Sequence, residues 1–400
     1  MKKYKIMIIA GEPSGDLHGS SLVKALFRTA NSDLSLKITG IGGDLMAANG
    51  MELFYHINNL SVMGVTEVLL QWKKVKRAFE LFRHNLKTDI PDLVILIDYP
   101  GFNLKAAAFV RKFSISLNQS IPVLYYVTPK VWAWNRSRLA KIRENVDHAA
   151  LIFPFEEQIY RKAGIPSTFV GNPLIDYYEQ VVADICSQSD LNANNGLAKT
   201  FTIGLLPGSR AAEISSLLEL MLESARLIQM HCTSINFIVS LSPAIEKTEK
   251  HLLMFNKILE EYSKSINIRV VKGVSQKFFA RCDLLVAASG TVTLEAAIWG
   301  VPMIIVYKVS ALTAFLARRL LIVSHVGLPN IVAGYEVVPE FIQEAATPEA
   351  ISYKAISMVN APSELNEIRR HLGMLRRRLG GPGASIRTAR IAMHMLRCNP

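Results

Sequence analysis

Four titratable side chains stand where short apolar runs of this sequence end. Glu12 and His18 follow Lys5–Ala10, Asp98 follows Leu93–Ile97, and Arg210 follows Ile203–Leu206. Apolar runs of this length, bounded by Gly, Pro and Asp, read as buried strands. In open α/β sheets ligands gather beyond the carboxyl ends of the strands, so these side chains are placed for chemistry. A carboxylate or imidazole there can take a proton from a hydroxyl, and an arginine can hold a developing anion with forked donors. A plainer reading stands beside each: Asp98 as a turn former, Arg210 as a surface cation.

The elements that must position them follow from the motifs. I-G-L-L-P-G-S-R-A-A-E-I (203–214) is a strand, a small-residue turn and a helix start. A helix N-terminus offers unpaired N–H groups and a positive dipole end, both suited to phosphate. Gly208, Ser209 and Arg210 are the candidate contacts. A second such turn is A-A-S-G-T-V-T-L-E (287–295), with Ser289, Gly290 and Thr291 at the loop. Glu295 comes four residues after Thr291 and so lies on roughly the same helix face, placed for a hydroxylated sugar. Its plainer reading is a helix residue facing core or solvent.

The opening loop, G-E-P-S-G-D-L-H-G (11–19), has neither the Gly-Lys-Ser/Thr of a P-loop nor G-x-G-x-x-G in register. Its Glu12, Ser14, Asp16 and His18 suit polar recognition or proton transfer better than diphosphate binding. Trp132 and Trp134, beside several cations, could stack on a sugar, brace a phosphate-binding arginine, or simply pack.

At 400 residues, half of them hydrophobic and a fifth charged, the chain is long enough for two α/β domains. We place an N-terminal Rossmann-like domain at 1–183, a polar linker at 184–200, a second Rossmann-like domain at 201–372 and a basic helical tail at 373–400. The tail is a candidate for packing back on the first domain. Four scattered cysteines show no zinc or redox spacing. The net charge of +12 is clustered: Lys73, Lys74, Lys76, Arg77, Arg83 and Lys87 face only Glu80, and eight arginines follow from Arg369 with no acid among them. Such patches suit anionic lipid, phosphorylated ligands or nucleic acid. The absence of zinc-finger and aromatic RNA-binding motifs argues against nucleic acid. Residues 60–86 begin apolar and end basic and amphipathic, which fits either a helix covering the sheet or a membrane-surface element. Leu312–Val323 is a second apolar stretch, too interrupted by charge for a membrane span.

Several motifs, taken in order, resemble those of the lipid-A-disaccharide synthase family of GT-B glycosyltransferases (family 19). They are G-E-P-S-G-D-L-H-G (11–19), V-M-G-V-T-E-V (62–68), I-D-Y-P-G-F-N (97–103), Y-V-T-P-K-V-W-A-W (126–134), L-L-P-G-S-R-x-x-E (205–213), A-S-G-T-x-T-L-E (288–295) and L-P-N-I-V-A-G (328–334). The resemblance implies a GT-B fold, two Rossmann-like domains flanking a cleft. It implies inverting transfer of 2,3-diacylglucosamine from UDP-2,3-diacylglucosamine to the 6-hydroxyl of 2,3-diacylglucosamine 1-phosphate. It also implies a cytoplasmic protein, peripheral on the inner membrane of a Gram-negative cell, working without metal or cofactor; a homodimer is left open. Asp98 is then the base, with His18 and Glu12 as competitors. Arg210 and the N–H groups at Gly208–Ser209 and Ser289–Thr291 would hold the leaving UDP, Glu295 the ribose, and Asn330 a place at the nucleotide site. The rivals are another GT-B UDP-sugar enzyme, such as the peptidoglycan glucosaminyltransferase or a 2-epimerase, and a non-catalytic lipid- or nucleotide-binding protein on the same scaffold.

Overall fold

A computed structural model describes residues 2–30, 34–60, 68–132, 137–188, 200–273, 276–309 and 324–398, with the backbone alone for 68–71, 184–188, 276 and 277. The chain forms two compact units, Met1–Asp176 with Leu379–Pro400, and Tyr177–Arg378.

The first unit alternates β1 (Lys2–Ala10), α1 (Pro13–Thr29), β2 (Leu34–Gly42), α2 (Asp44–Ala48), β3 (Glu52–His56), α3 (Val68–Thr88), β4 (Leu93–Ile97), α4 (Pro100–Leu117), β5 (Val123–Tyr126), α5 (Arg138–Asn145), β6 (His148–Leu151), α6 (Glu156–Lys162) and β7 (Ser167–Phe169). Its strands form one parallel sheet in the order β3-β2-β1-β4-β5-β6-β7. All five residues of β4 are buried, as expected for a parallel strand covered on both faces. In α3, Ala78, Phe82 and Leu86 recur every fourth residue and are fully buried, while Lys73, Lys76, Arg77, Arg83 and Lys87 are exposed. That spacing is one helical face on the sheet and one in water. Phe82 packs edge-on against Phe102 and Phe109 of α4; truncating such a side chain to alanine costs roughly 3–5 kcal/mol. So one face of Lys73–Thr88 covers the sheet and its basic face is exposed. The apolar stretch before it, 62–67, and Leu312–Val323 lie outside the described residues.

From α7 (Pro173–Gln188) the chain passes into the second unit. The helix runs on through residues 184–188, which were expected in the polar linker; the remainder, 189–199, is not described. The second unit contains β8 (Phe201–Leu206), α8 (Ala211–His231), β9 (Ile235–Leu241), α9 (Pro243–Glu246), α10 (Glu249–Tyr262), β10 (Ile268–Lys272), α11 (Gln276–Phe279), β11 (Leu284–Ala288), α12 (Thr291–Ile298), β12 (Met303–Tyr307), α13 (Leu328–Ala333), β13 (Glu340–Ile342), α14 (Pro348–Asn360) and α15 (Pro362–Arg378). Its parallel sheet has the order β10-β9-β8-β11-β12-β13.

The basic C-terminal helix, α16 (Ala384–Cys398), packs against α1 in the first unit. Asp176 holds its start by accepting from the backbone N–H groups of Gly383, Ala384 and Ser385. A carboxylate at a helix N-terminus satisfies groups that the helix itself leaves unpaired.

Candidate active site

In each sheet the strand order reverses once, between β1 and β4 in the first unit and between β8 and β11 in the second. A reversal opens a crevice at the carboxyl ends of the two strands, because the connections leave on opposite faces. Most of the candidate side chains stand at these two points.

In the first unit, Asp98 ends β4 and Gly11–Glu12 follow β1. Asp98 and Tyr99 both adopt left-handed backbone, with φ of 47° and 46°. For a non-glycine residue this conformation costs on the order of 1–2 kcal/mol each, so the surroundings must impose it. They do so through the backbone. The Asp98 N–H donates to Tyr126 O at 3.2 Å, and its carbonyl accepts from Asn103 Nδ2 at 2.7 Å and the Tyr125 hydroxyl at 2.8 Å. The carboxylate itself accepts from the Tyr99 N–H. The Tyr99 ring lies over Gly11 so closely that a Cβ there would fall 2.1 Å from it; glycine is required for the approach. Burial raises the Asp98 carboxyl above the usual range, against the pull of the Lys130 ammonium and the Tyr99 N–H. Tyr99 is raised too, by burial and then by the charge of Glu12, which places Glu12 at the same elbow.

His18 lies in α1, half-buried, and burial lowers its imidazole to about 4, so it is neutral at neutral pH. Ser14 is exposed in the first turn of α1. Asp16 serves the fold: it is buried and accepts from the N–H groups of Gly43, Leu45 and Met46 at 2.9, 3.2 and 3.1 Å. That caps α2 and occupies the Asp16 carboxylate with backbone N–H groups. Trp132 also packs inward, with its Nε1–H on Glu156 Oε1 at 3.0 Å and its ring edge-on to Phe153 and Phe155. Trp134 lies outside the described residues.

At the second reversal, Gly208 has φ 109° and sits against Glu213, whose Oε2 would be 2.3 Å from an added Cβ. The Glu213 carboxylate accepts from Ser209 N at 2.8 Å, Arg210 N at 3.2 Å and Arg210 Nη1 at 3.2 Å. The N–H of Ser209, expected to be open for phosphate, is therefore occupied by a carboxylate, as is that of Arg210. The Arg210 side chain is 83% exposed. Across the crevice Gly290 and Thr291 are exposed at the start of α12, while Ser289 Oγ donates to Val326 O at 3.0 Å. Glu295 is half-buried, and burial pushes its carboxyl up to about 7.

Asn330 is fully buried. Its Nδ2 donates to Val338 O and Glu340 Oε1, both at 2.8 Å, and its Oδ1 accepts from Val337 N at 2.7 Å and Val338 N at 3.0 Å. Glu340 also accepts from Val326 N and Gly327 N. These bonds tie α13 to the loop that carries Val326, and through it to Ser289. The expected nucleotide contact at Asn330 thus appears as a clamp on the loop beside the site. Sequence reasoning missed Glu213, Glu340, Glu156 and Lys130. Of these only Glu213 carried a readable signal, a carboxylate three residues after the N-cap Arg210, the place of the acid in a capping box although no Ser or Thr stands at the cap.

A profile of the family described as "Lipid-A-disaccharide synthetase" matches residues 6–389. A lipid-A-disaccharide synthase from Syntrophus aciditrophicus is 38% identical over 398 residues, covering 99% of both chains. One from Geobacter metallireducens is 39% identical over 395 residues, covering 98% of this chain and 97% of its own. The chain belongs to the lipid-A-disaccharide synthetase family. It is therefore a glycosyltransferase with the GT-B architecture of paired Rossmann-like units. A UDP-GlcNAc 2-epimerase from Neisseria meningitidis, solved with UDP-GlcNAc, aligns over 100% of both chains with a TM-score of 0.60 at 12% identity. One from Methanocaldococcus jannaschii gives 0.60 at 18% identity, over 98% of this chain and 100% of its own. At that identity the likeness is one of fold, and full-length family membership sets this chain apart from the epimerases. Relative to the family reading, the first unit gathers Asp98, Glu12 and Lys130, and the second gathers Ser209, Arg210, Ser289, Gly290 and Thr291. Asp16, Trp132 and Asn330 are drawn into the scaffold behind them.

Proposed function

We propose that this protein transfers 2,3-diacylglucosamine from UDP-2,3-diacylglucosamine to the 6-hydroxyl of 2,3-diacylglucosamine 1-phosphate, with inversion at the anomeric carbon. The 6-hydroxyl oxygen bonds to that carbon as the bond to UDP breaks; the hydroxyl proton goes to a base and the electron pair leaves with the diphosphate. The assignment of Asp98 as base is carried by its elbow, where a half-buried carboxylate stands at the end of β4 with the Tyr99 N–H and the Lys130 ammonium turned to it. Burial strengthens it as a base, since a raised carboxyl holds a proton more tightly, and general bases work best when their pKa approaches the working pH. His18, lowered to about 4, is the weaker competitor. Glu12 sits beside Tyr99 and suits orientation of the acceptor. Ser14, exposed in the first turn of α1, is a further acceptor contact. Arg210 neutralises the departing diphosphate with help from Ser289–Thr291, and Glu295 receives the ribose hydroxyls. Asp16, Trp132 and Asn330 act by positioning these groups; Trp134 remains a candidate sugar platform.

Both substrates carry acyl chains, so the protein works at an anionic membrane surface, with α3 as the contact. Trp72 at its start is 69% exposed. Beside α3 lies a cavity of about 620 Å³ whose lining includes the apolar Phe54 and Leu81 and the basic Lys74 and Arg77. Among the described residues no helix is long and apolar enough to cross a membrane.

The test is UDP release by the purified protein in detergent micelles. UDP should appear only when both lipids are present; release without the acceptor would instead indicate hydrolysis or epimerisation. Replacing Lys73, Lys74, Lys76 and Arg77 by serine should free the protein from anionic vesicles in co-sedimentation, and unchanged binding would reject the surface role of α3.

A further inference from the structure

We infer that Glu156 is a positioning residue for the transfer: through Trp132 it fixes the loop after β5 so that Lys130 stays beside Asp98. This rests on Asp98 being the base.

The loop Val127–Trp132 is unusually constrained. Val127 is left-handed, with φ 54°. Thr128, Pro129, Val131 and Trp132 are buried, and Lys130 alone is exposed. The Val131 N–H donates to Pro129 O at 2.7 Å, a three-residue turn with Lys130 at its apex. Such a turn presents its central side chain outward only while both flanks stay anchored. The upstream flank is anchored by the sheet, where β5 pairs with β4 in the register Ile97↔Tyr126. The downstream flank is anchored by Trp132.

Trp132 in turn depends on a buried carboxylate. Glu156 is 1% exposed and uses one oxygen for Trp132 Nε1–H and the other for the Phe153 N–H at 3.1 Å. Phe153 and Phe155 stack on each other and meet the Trp132 ring edge-on. Burial pushes the Glu156 carboxyl up to about 7, although Trp132, the Phe153 and Ile152 N–H groups and Lys130 all favour its charge; Tyr160 of α6 faces it as well. A buried carboxylate in an aromatic setting is costly, and a well-packed apolar pair would hold a purely structural contact as firmly. What the hydrogen-bonded pair adds is direction, a single indole orientation and hence a single placement of the turn.

The consequence at Asp98 is electrostatic. The groups facing it are Lys130 from this loop, the Tyr99 N–H and the phenol of Tyr125, with Glu12 beside the Tyr99 phenol. Lys130 holds down a carboxyl that burial lifts. If Lys130 withdraws, Asp98 keeps its proton to higher pH, and the acid limb of the rate must move up.

The experiment is the pH profile of kcat/KM for wild type, Lys130→Met, Trp132→Phe, Glu156→Gln and the Lys130→Met/Trp132→Phe double variant, with Tm measured on each. Trp132→Phe keeps an aromatic ring but removes the Nε1–H. Lys130→Met and Trp132→Phe should each raise the acid limb by about half to one pH unit, the reach of one lysine near a partly exposed carboxylate. The double variant should shift no further than the larger single shift, because both act through the same ammonium. Glu156→Gln, which cannot accept both N–H groups, should move the limb in the same direction and serves if Trp132→Phe does not fold. Activity that falls only with Tm, on an unmoved limb, would make the pair a fold element and overturn the inference; so would fully additive shifts. Near-normal turnover by Asp98→Asn would be a separate result, removing the reading on which the inference rests.

Discussion

The two strand-order reversals are built alike and prepared differently. At the first, the chain holds Asp98 and Tyr99 in a left-handed pair, and the backbone of Asp98 is braced by Tyr126, Asn103 and Tyr125. The carboxylate is half-buried, and burial lifts its pKa against the pull of Lys130 and the Tyr99 N–H. At the second, the Gly208–Arg210 turn is capped by its own Glu213, and Arg210 extends into solvent. Strain held by a surrounding scaffold fixes one reactive atom in advance, which suits a base that must meet one hydroxyl. A solvated arginine on a capped turn can fold onto a ligand that brings its own charge. On the proposed function, the first region is finished before substrate arrives and the second is completed by it.

Breaking the prepared side should have the larger effect. Asp98→Asn removes the charge and keeps both the shape and the backbone bonds that form the elbow. We expect kcat to fall by about 10²–10⁴, the range for loss of a general base, with Tm nearly unchanged. Turnover measured as UDP release decides it. Activity above a tenth of wild type would move the base elsewhere, with Glu12 the first residue to try.

How far this was legible in the sequence follows the same physics. Central strands are buried on both faces, so β4 and β8 stand out as apolar runs, and the positions of Asp98 and Arg210 follow from where those runs end. The edge strands β3, β7 and β13 escaped notice because they are short and only partly buried, with no apolar run or strict alternation to read. Side-chain roles were harder. Asp16 and Asn330 have residue types suited to ligands, but each is buried with backbone N–H groups that local spacing does not reveal. Asp16 meets α2 almost thirty residues on, and Asn330 meets Glu340 across a loop. Trp132 and Glu156 are 24 residues apart and meet only because β5 and β6 are neighbours. Contacts made by topology leave no periodic trace.

The other half of the comparison is tested at Arg210 and Glu213. If the second region is completed by its ligand, Arg210→Ala should leave Tm unaltered and lower kcat by about 10²–10³, the range for loss of one donor to a developing anion. Glu213 should behave in the opposite manner. It caps α8 and fills the space beside Gly208, so Glu213→Gln weakens a cap worth about 1 kcal/mol and loosens the turn that aims Arg210. We expect a small fall in Tm and UDP affinity lower by roughly fivefold, the same free energy expressed as a binding ratio. Calorimetric titration with UDP alone separates two accounts of this carboxylate. Weaker binding means that Glu213 shapes the turn for the diphosphate. Tighter binding would mean that it competes with the diphosphate for the Ser209 and Arg210 N–H groups, and the second region would then be closed by its own carboxylate until the donor displaces it.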